Sequence, residues 1–574
     1  MAFQISPGVN VSEVDLTTVV PAVTTTAGGF AGYFNWGPAF TRITIADEPN
    51  IVRRFGGPDS NSAVSFFTAA SFLAYSNNIK IVRAIGGNSR NAIANTNPNA
   101  TNLRILNENI FQTTFLDSTN NNAAGAFAGR YCGALGNSLS VSLIDAGGSA
   151  GFATWNVNGI GVSSYFPGAP GTSSQAASLG ATNDEVHVIV LDTGGVITGT
   201  KNTVLEVYPY LSKGSDAIDS LGNSNYYKEV IFNQSRYIYA VDPVDYANTV
   251  STWGQPLANT TYATITGSYS ATLTKGTDEL PSDANTIAAF SAFTNPDDVD
   301  IGLVITGAAS TTVQQYVIDN VATVRKDCIA FITPPYSSVV NQPGIEASNI
   351  ITWTGTLARS TSYAVADCAW KYMFDKYNNV YRWIPLNADT AGLCAYTDTI
   401  RDPWYSPAGY NRGQIKNAVK LSWNPNKTER DTLYSNGVNP VIRTPSAGTI
   451  LYGDKTLQIK PSAFDRINVR RLFIVLEKTI SQAAQYSLFE FNDEFTRAQF
   501  VALVTPFLRD VQGRRGIYDF RVVCDTTNNT PQVIDSNQFV GDIYIKPARA
   551  INFIQLNFVA VRTGVDFNEI VGAA

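Results

Sequence analysis

The fold predicted for this chain is decided near its C-terminus, by the run Gly516-Ile-Tyr-Asp-Phe-Arg-Val-Val-Cys-Asp525 and the later run Ile551-Asn-Phe-Ile-Gln-Leu-Asn-Phe-Val-Ala-Val561. Apolar and polar side chains alternate in both, which is typical of half-buried β-strands. The predicted apolar faces hold Tyr518, Phe520, Val522 and Cys524 in the first run, and Ile554, Leu556, Phe558 and Ala560 in the last. The polar residues Asp525 to Pro531 form the turn after the first strand.

A last strand so close to the chain end can leave its own domain and pair with another sheet. The N-terminus offers a second such segment, because residues 1–21 are rich in Val and Thr and no hairpin partner follows closely. Such a terminal segment is either frayed or a donated strand. The density of Val and Ile favours docking on another structure, so both terminal segments are predicted to be donated strands. Their apolar residues are Val9, Val11, Val14 and Leu16 in the N-terminal arm, and Ile554, Leu556, Phe558 and Ala560 in the C-terminal arm.

Composition narrows the function classes. The chain has 574 residues, of which 44% are apolar and only 15% charged, and its formal net charge is −6 without any basic tract. These values favour a turn-rich β-containing protein with large uncharged surfaces, and they give a nucleic-acid interface no electrostatic support. No apolar run approaches the roughly 20 residues that a membrane span needs, and no secretory signal is evident.

The five cysteines are scattered and odd in number. No pair has the spacing of a metal site, so we predict buried free thiols and assembly in a reducing compartment. They are Cys132, Cys328, Cys368, Cys394 and Cys524.

Two separated parts of the chain predict one α/β domain. The first part places a helix over Ser62–Tyr75 between strands at Gly28–Phe34 and Ile79–Ala84, which suggests a crossover unit. Strands at Ile301–Ile305 and Cys328–Ile332, with a helix between them, return to this pattern.

The intervening residues, 87–275, are rich in Asn, Gly, Ser and Thr and predict an inserted, mostly β domain. Within it, Val186–Leu191 and Val196–Thr198 are predicted to form a hairpin around Asp192 to Gly195. The fold class is thus a mixed α/β core built from both chain ends, with a β insertion and extended arms.

Helices dominate the segment before the C-terminal strands. The clearest spans Asp465–Ala484, with an apolar stripe that includes Val469, Leu472 and Leu476. A second spans Glu494–Leu508, and Pro506 predicts a kink or an end there.

Catalytic interpretations are weak. His187, the single histidine, lies within a predicted strand and is expected to be structural. Gly194–Lys201 resembles a phosphate-binding loop, but Thr200 separates the last Gly from Lys201, so a hairpin turn is favoured. Arg470 and Arg471 are expected to make ion pairs rather than bind phosphate. We predict no enzyme activity, no catalytic residues, no cofactor and no metal.

Several motifs resemble the tail sheath proteins of contractile-tailed bacteriophages. They are Asn35–Phe40, Asp375–Val380 with Arg382 and Trp383, Ala388–Cys394, Ser406–Gly413, Leu451–Thr456, Phe464–Leu472 and Val523–Pro531. They cover residues 1–85 and 280–574; the middle contributes only Gly133–Asn137.

The resemblance implies a structural subunit that stacks as six-fold rings around a tail tube and contracts to drive the tube through the host envelope. It implies an N-terminal arm (1–20), an inner domain (21–86 with 276–549), an outward-facing insertion (87–275) and a C-terminal arm (550–574). The implied partners are further copies of the chain, the tube, baseplate and tail terminator proteins, without nucleic acid or membrane insertion. The implied location is the virion tail, after assembly in the bacterial cytoplasm.

The helix Glu494–Leu508 and the following loop are predicted to touch the tube through weak polar contacts; the candidates are Asp493, Glu494, Arg497, Arg514 and Arg515. An ordinary solvated face is the alternative for each of them. Two other functions stay open: a related contractile machine of the bacteriocin or secretion type, and an enzyme or carbohydrate-binding particle protein with its activity in the insertion.

Overall fold

The computed structural model describes residues 24–94, 103–116, 125–244, 252–552 and 555. It contains two compact units. We call 24–403 with 407–482 the main unit, and 404–406 with the described residues from 483 onward the C-terminal unit. The predicted division into arms, inner domain and insertion stays a prediction, and the two units divide the chain elsewhere, between residues 482 and 483.

The first segment of the main unit is the predicted crossover. Its elements are β1 (Gly28–Gly32), β2 (Arg42–Ile45), α1 (Glu48–Phe55), α2 (Ala63–Leu73) and β3 (Ile79–Arg83). β1 and β3 pair in parallel, which confirms the crossover. Phe66, Phe67 and Phe72 of α2 are buried because the helix lies between layers.

The inserted segment is mostly β. Its elements are β4 (Asn91–Ile93), α3 (Glu108–Thr114), β5 (Phe127–Cys132), β6 (Leu139–Asp145), β7 (Asn156–Val157), β8 (Ile160–Gly161), α4 (Ser174–Ser178), β9 (Glu185–Asp192), β10 (Thr203–Ser212), α5 (Tyr227–Gln234), β11 (Ile238–Ala240) and β12 (Ser268–Thr272). They form a four-stranded sheet, β10-β9-β6-β12, a three-stranded sheet, β11-β5-β4, and the hairpin β7-β8.

One boundary in this segment was predicted wrongly. The partner strand of β9 begins at Thr203, not at Val196, and residues 193–202 form the connection. The physical reason is that Asp192 gathers the backbone of this loop around its carboxylate, so the chain cannot extend until the loop has closed.

The chain then returns to the α/β layer. It forms α6 (Asp283–Phe290), β13 (Leu303–Ile305), α7 (Thr311–Tyr316), a π-helical turn (Val317–Ala322), α8 (Thr323–Arg325), β14 (Ile329–Ile332), α9 (Tyr336–Val339), α10 (Glu346–Leu357), β15 (Ala364–Asp367), β16 (Trp370–Asp375), β17 (Val380–Pro385), α11 (Asn387–Ile400), β18 (Lys420–Leu421), α12 (Lys427–Ser435), β19 (Val438–Asn439), β20 (Val441–Thr444), β21 (Gly448–Leu451) and α13 (Ile467–Ala484).

A seven-stranded sheet organises the main unit, in the order β19-β15-β14-β13-β1-β3-β2. All neighbours pair in parallel except the edge strand β2, which pairs antiparallel with β3. Strands from both sides of the insertion therefore share one sheet, as predicted. Parallel strands are buried on both faces, and β1, β13, β14 and β15 are buried along their whole length.

The C-terminal unit is smaller. It contains α14 (Glu494–Gly513), β22 (Ile517–Val523), α15 (Pro531–Asp535) and β23 (Asp542–Pro547). The predicted end at Pro506 is wrong, because α14 continues to Gly513 with Pro506 inside it; the alternative of a kink there stays a prediction. Proline removes one backbone donor, and Ala502, four residues earlier, is exposed, so water can reach the carbonyl that is left without a partner.

Candidate assembly surface

The C-terminal unit is built on the buried stripe of α14. Asp493 caps the helix, its carboxylate accepting from the Thr496 N–H at 2.8 Å. Phe500, Val504 and Leu508 follow at helical spacing and are buried. Trp404 closes the far end, where its indole N–H donates to the Arg514 carbonyl at 3.1 Å. Gly516 leaves room for that ring, since a Cβ there would lie 3.1 Å from it.

An asparagine network ties the connection between β22 and β23. The Asn529 side chain is buried, donates to the Val540 carbonyl at 2.7 Å and accepts from the Val540 N–H at 2.9 Å. Asn528 donates to the Val523 carbonyl at 2.8 Å. These amides replace a backbone ladder where the chain turns, which explains the motif Val523–Pro531.

The sheet of this unit has two strands. β22 and β23 pair antiparallel with each other, and within the described residues neither has a second partner. A sheet of two strands is marginal alone in water, and its free edges can accept another strand. Phe520, Val522, Ile543 and Ile545 are only half-buried. Tyr518 was predicted on the same face but is exposed, because a register shift follows Ile517.

Large aromatic side chains crowd the surface of this unit. In the described part of the chain, four of the five exposed phenylalanines fall between 489 and 539. The exposed fraction is 85% at Phe491 and 75% at Phe495, and Phe489 is fully exposed with a positive φ of 69°. Exposed apolar surface in soluble proteins often marks an interface, so these rings are candidates for one.

The predicted tube-facing residues do not share one environment. Glu494, Arg514 and Arg515 are exposed. Arg497 is buried, and its guanidinium donates to the carbonyl and side-chain oxygens of Asn492 at 3.2 and 2.8 Å. Asn492 in turn donates to the Gln538 carbonyl at 2.7 Å, so in the structure Arg497 supports the fold of the C-terminal unit.

The predicted arm residues Val9, Val11, Val14, Leu16, Ile554, Leu556, Phe558 and Ala560 lie outside the described residues. Their pairing stays a prediction.

In the main unit, a helix fills the place where an open α/β sheet usually binds a ligand. That place is the crevice at the carboxyl ends of the strands where the strand order reverses, here between β1 and β13. The side-chain amide of Asn387, the first residue of α11, donates to the Gly307 carbonyl just after β13 at 2.7 Å, and its backbone N–H donates to the Thr333 hydroxyl oxygen after β14 at 3.0 Å. Gly307 is packed against the Phe30 ring.

α11 stays in this buried position through a second set of contacts. Asp389 pairs with Lys371 at 2.8 Å, both side chains being essentially inaccessible, and accepts from the Tyr75 hydroxyl at 3.1 Å. A Cβ at Gly392 would lie 2.4 Å from the Tyr75 ring, so only glycine fits. The motif Ala388–Cys394 is therefore a packing motif of the sheet.

The junction between the α/β layer and the insertion depends on Arg83, which sequence reasoning did not single out. Its guanidinium is fully buried and donates to the carbonyls of Phe34, Asn35, Gly37 and Cys132. Burial lowers the pKa of Arg83. Trp36 packs edge-to-face on Tyr131 at 5.3 Å. The motifs Asn35–Phe40 and Gly133–Asn137 meet here; the signal available in the sequence was an arginine inside a strand of otherwise buried residues.

His187 and the loop that resembles a phosphate site both make hydrogen bonds within the fold. The Nδ1 atom of His187 accepts from the Tyr210 N–H at 2.9 Å, and its Nε2 donates to the Gly168 carbonyl at 2.8 Å, so both nitrogens are engaged. In the loop that resembles a phosphate site, the Asp192 carboxylate already accepts from the N–H groups of Ile197 and Thr198 at 3.0 and 2.7 Å.

The two helical arginines differ. Arg471 makes the predicted ion pair, with Asp398. Arg470 instead lies between the rings of Tyr363 and Phe464, at 4.2 and 4.1 Å.

The thiols are buried and free, as predicted. Burial raises the pKa of Cys328, Cys368 and Cys394 to about 12, so they stay protonated at neutral pH. Among the residues that the structure describes, no three metal-ligating side chains come together. None of the helices in those residues is long and apolar enough to span a bilayer.

Known proteins match over the whole chain. The family described as phage tail sheath protein central domain matches residues 281–457, and the phage tail sheath C-terminal domain matches residues 460–560. A tail sheath protein of Vibrio phage KVP40 is 35% identical, covering 99% of this chain and all of the relative. This chain belongs to the phage tail sheath protein family. The tail sheath protein of Enterobacteria phage T4 is 32% identical, with 99% of each chain covered.

Solved structures of sheath proteins share the fold. A sheath tail protein from Listeria innocua superposes with a TM-score of 0.51 at 11% identity, covering 91% of this chain and 94% of that one. The helical sheath of the anti-feeding prophage in its contracted state gives a TM-score of 0.50 at 12% identity, covering 97% and 99%. These structures confirm the mixed α/β fold class. The identity to the phage relatives confirms the family that the motifs indicated.

Proposed function

We propose that this sheath protein polymerises as stacked six-fold rings around a tail tube and contracts to drive the tube through the host envelope. The observation that carries the proposal is the match to phage tail sheath proteins along 99% of the chain. The relatives are structural proteins of phage tails, so the role proposed is structural and not enzymatic. The proposed location is the virion tail, after assembly in the bacterial cytoplasm.

The C-terminal unit supplies the physical basis for polymerisation. A two-stranded sheet with free edges can gain strands from neighbouring copies, which satisfies backbone groups and buries the half-exposed Phe520 and Ile545. Strand donation from one copy to the next is head-to-tail, and contacts of this kind build helices rather than closed dimers. The donated strands proposed are the N-terminal arm, residues 1–20, and the C-terminal arm, residues 550–574.

The remaining assignments follow the same scheme. The inner domain, residues 21–86 with 276–549, lies toward the tube, and the insertion, residues 87–275, faces outward. Baseplate and tail terminator proteins close the two ends of the polymer.

Tube contact is proposed for the exposed charges at the ends of α14, namely Asp493, Glu494, Arg514 and Arg515, with Arg497 holding the unit in shape behind them. The double variant Arg514→Glu/Arg515→Glu should abolish tube-dependent assembly while the subunit stays folded. Lys201→Glu, an exposed cation in the insertion, is the matched control. Normal assembly of the double variant on purified tube would remove this assignment.

Electron microscopy of the full-length protein and of a variant lacking residues 1–20 tests the strand-donation scheme. Long hollow tubes from the full chain, lost on deletion, are the expected result. Tubes of equal length from both proteins would contradict the role of the N-terminal arm. If both stay monomeric, adding purified tail tube tests whether assembly needs that template; continued absence of polymer would contradict the polymer itself.

A second candidate is the sheath of a related contractile injection system, of the bacteriocin or secretion type. The likeness to the anti-feeding prophage sheath favours the same fold for both. Capsid and packaging genes beside this gene would identify a phage, and their absence beside tube and baseplate genes would identify an injection system.

A further inference from the structure

The described chain begins at a tightly held segment, residues 24–27, which we call the arm root because the proposed N-terminal arm precedes it. The arm root runs into β1, the strand at the centre of the seven-stranded sheet. Any strain carried by the arm must pass through these few residues. Their contacts therefore decide whether that strain reaches the body of the main unit.

A buried ion pair holds the arm root from one side. Arg471 of α13 and Asp398 of α11 form a two-pronged pair, with Arg471 Nη1 to Asp398 Oδ1 at 2.6 Å and Arg471 Nη2 to Asp398 Oδ2 at 2.5 Å. Both side chains are about 95% inaccessible, with exposed fractions of 4% and 5%. Pairs of this geometry are among the strongest in proteins, and they fix orientation as well as distance.

Thr25 completes this pair. Its hydroxyl donates to Asp398 Oδ2 at 2.5 Å, and its carbonyl accepts from Arg471 Nη2 at 3.4 Å. One residue of the arm root thus donates to the anion and accepts from the cation. Arg471 also donates to the Cys394 carbonyl at 3.1 Å, which locks the pair to the body of α11.

Two other elements hold the arm root from the sheet side. The Ala27 carbonyl accepts from the Gly302 N–H at 3.0 Å, and the Thr26 carbonyl accepts from the Ser76 hydroxyl at 3.1 Å. Gly302 is a close approach, since a Cβ there would lie 3.0 Å from the Thr25 carbonyl oxygen. The arm root is therefore held by α11 and α13, by Gly302 just before β13, and by Ser76 just after α2.

We propose that Asp398 and Arg471 are positioning residues for assembly: they anchor the arm root, through Thr25, so that a pull on the N-terminal arm is shared by α11 and α13 and not borne by β1 alone. This inference rests on the proposed function only for what pulls on the arm. The anchor itself is a property of the single subunit, so the two can fail separately.

The direct test changes Thr25 and leaves the ion pair in place. Thr25→Val removes the hydroxyl that reaches Asp398 and keeps the shape of the side chain. We expect amide hydrogen exchange at Gly28 and Gly302 in the unassembled full chain to become about tenfold faster, because Thr25 loses its hydrogen bond to a charged group. Gly302→Ala should act in the same direction at the Gly28 amide, by pushing the Thr25 carbonyl away.

Thr397→Val is the matched control. Thr397 precedes Asp398 on α11, is buried, and its hydroxyl donates to the Leu393 carbonyl of its own helix at 2.7 Å. It should leave exchange at Gly28 and Gly302 unchanged. Unaltered exchange in both Thr25→Val and Gly302→Ala, or equal acceleration in Thr397→Val, would overturn the anchor.

Polymer length then tests the assembly role of the arm root separately from its hydrogen bonds within the subunit. If arms link subunits, Thr25→Val should shorten the polymers seen by electron microscopy, and Thr397→Val should not. If deletion of residues 1–20 leaves polymers intact, the linking role of the arm fails, while exchange at Gly302 still decides the anchor. Accelerated exchange with polymers of normal length and normal contraction would overturn the claim that the anchor serves assembly.

Discussion

The main unit and the C-terminal unit differ in where they place their phenylalanines. The main unit buries phenylalanines such as Phe30, Phe55 and Phe72 around a parallel sheet and also buries ion pairs, such as Lys371 with Asp389 and Lys213 with Asp145. The C-terminal unit leaves Phe489, Phe491 and Phe495 in water beside a sheet of two strands. The comparison teaches that the main unit has a packed core, whereas the C-terminal unit exposes aromatic surface of the kind that interfaces use.

The largest expected effect on the free energy of unfolding lies in the core of the main unit. Lys371→Met leaves the Asp389 carboxylate buried without its cation, which should cost about 3–5 kcal/mol. Denaturant unfolding measures the loss in the free energy of unfolding, and amide exchange in α11 shows where it occurs. The double variant Lys371→Met/Asp389→Leu should recover most of it; if the double variant is as unstable as the single one, the cost comes from packing and not from the unpaired charge.

A smaller loss is expected in the C-terminal unit. Asn529→Ala removes both bonds to Val540 and should destabilise the unit by about 1–3 kcal/mol, since buried backbone groups lose their partners. Exchange at the Val540 amide is the measurement. Gln532→Ala, at an exposed position of α15, is the control. An unchanged Val540 amide would show that the asparagine network does not hold this connection.

The stability of the main unit should also depend on pH. Burial raises the pKa of Asp367 well above its usual value of 3.8, although Thr333 and the Ala369 N–H donate to it. The folded state then keeps a proton that the unfolded state releases, so stability falls as pH rises from about 4 to the raised pKa, by at most about 1.4 kcal/mol per pH unit.

Asp367→Asn should flatten that slope in denaturant titrations from pH 4 to 8. Asp297→Asn, an exposed residue, should not change it. An identical slope in Asp367→Asn and the parent would show that Asp367 is ionised in the folded protein.

The smallest effect on the free energy of unfolding is expected at the exposed phenylalanines of the C-terminal unit. Their replacement tests whether they serve assembly or belong to a core. Phe489→Ser/Phe491→Ser should change the unfolding free energy by less than about 0.5 kcal/mol, because exposed side chains contribute little. Polymer formation, measured by light scattering, should nevertheless fall strongly. Leu221→Ser, 84% exposed in the insertion, is the control and should affect neither. A clear loss of subunit stability in the double variant would show that these rings belong to a core.

Much of the main unit could be predicted because its signals are local. Strands such as Ile79–Arg83 and helices such as Ile467–Ala484 follow from the spacing of apolar residues, and the crossover follows from their order. The partner strand of β9 and the length of α14 could not, since the loop contacts of Asp192 and the exposure around Pro506 depend on neighbours that spacing does not reveal.

The candidate surface was predicted only in part. The strand Ile517–Val523 was predicted from periodicity, whereas the helix cap was not, since Asp493 was named only as a candidate for tube contact. The buried position of Arg497 was not, because its partner Asn492 and the carbonyl of Gln538 come together only when the chain turns after α15.

The sequence alone determined the family, the mixed α/β class and the inserted β segment, since motifs and hydrophobic periodicity survive without knowledge of contacts. The tertiary structure alone decided which charges are paired, which amides are satisfied and which aromatics stay in water. Arg83 reaching four carbonyls and Thr25 reaching Asp398, 373 residues away, show why. Such partners are distant in sequence, and only folding brings them within hydrogen-bond distance.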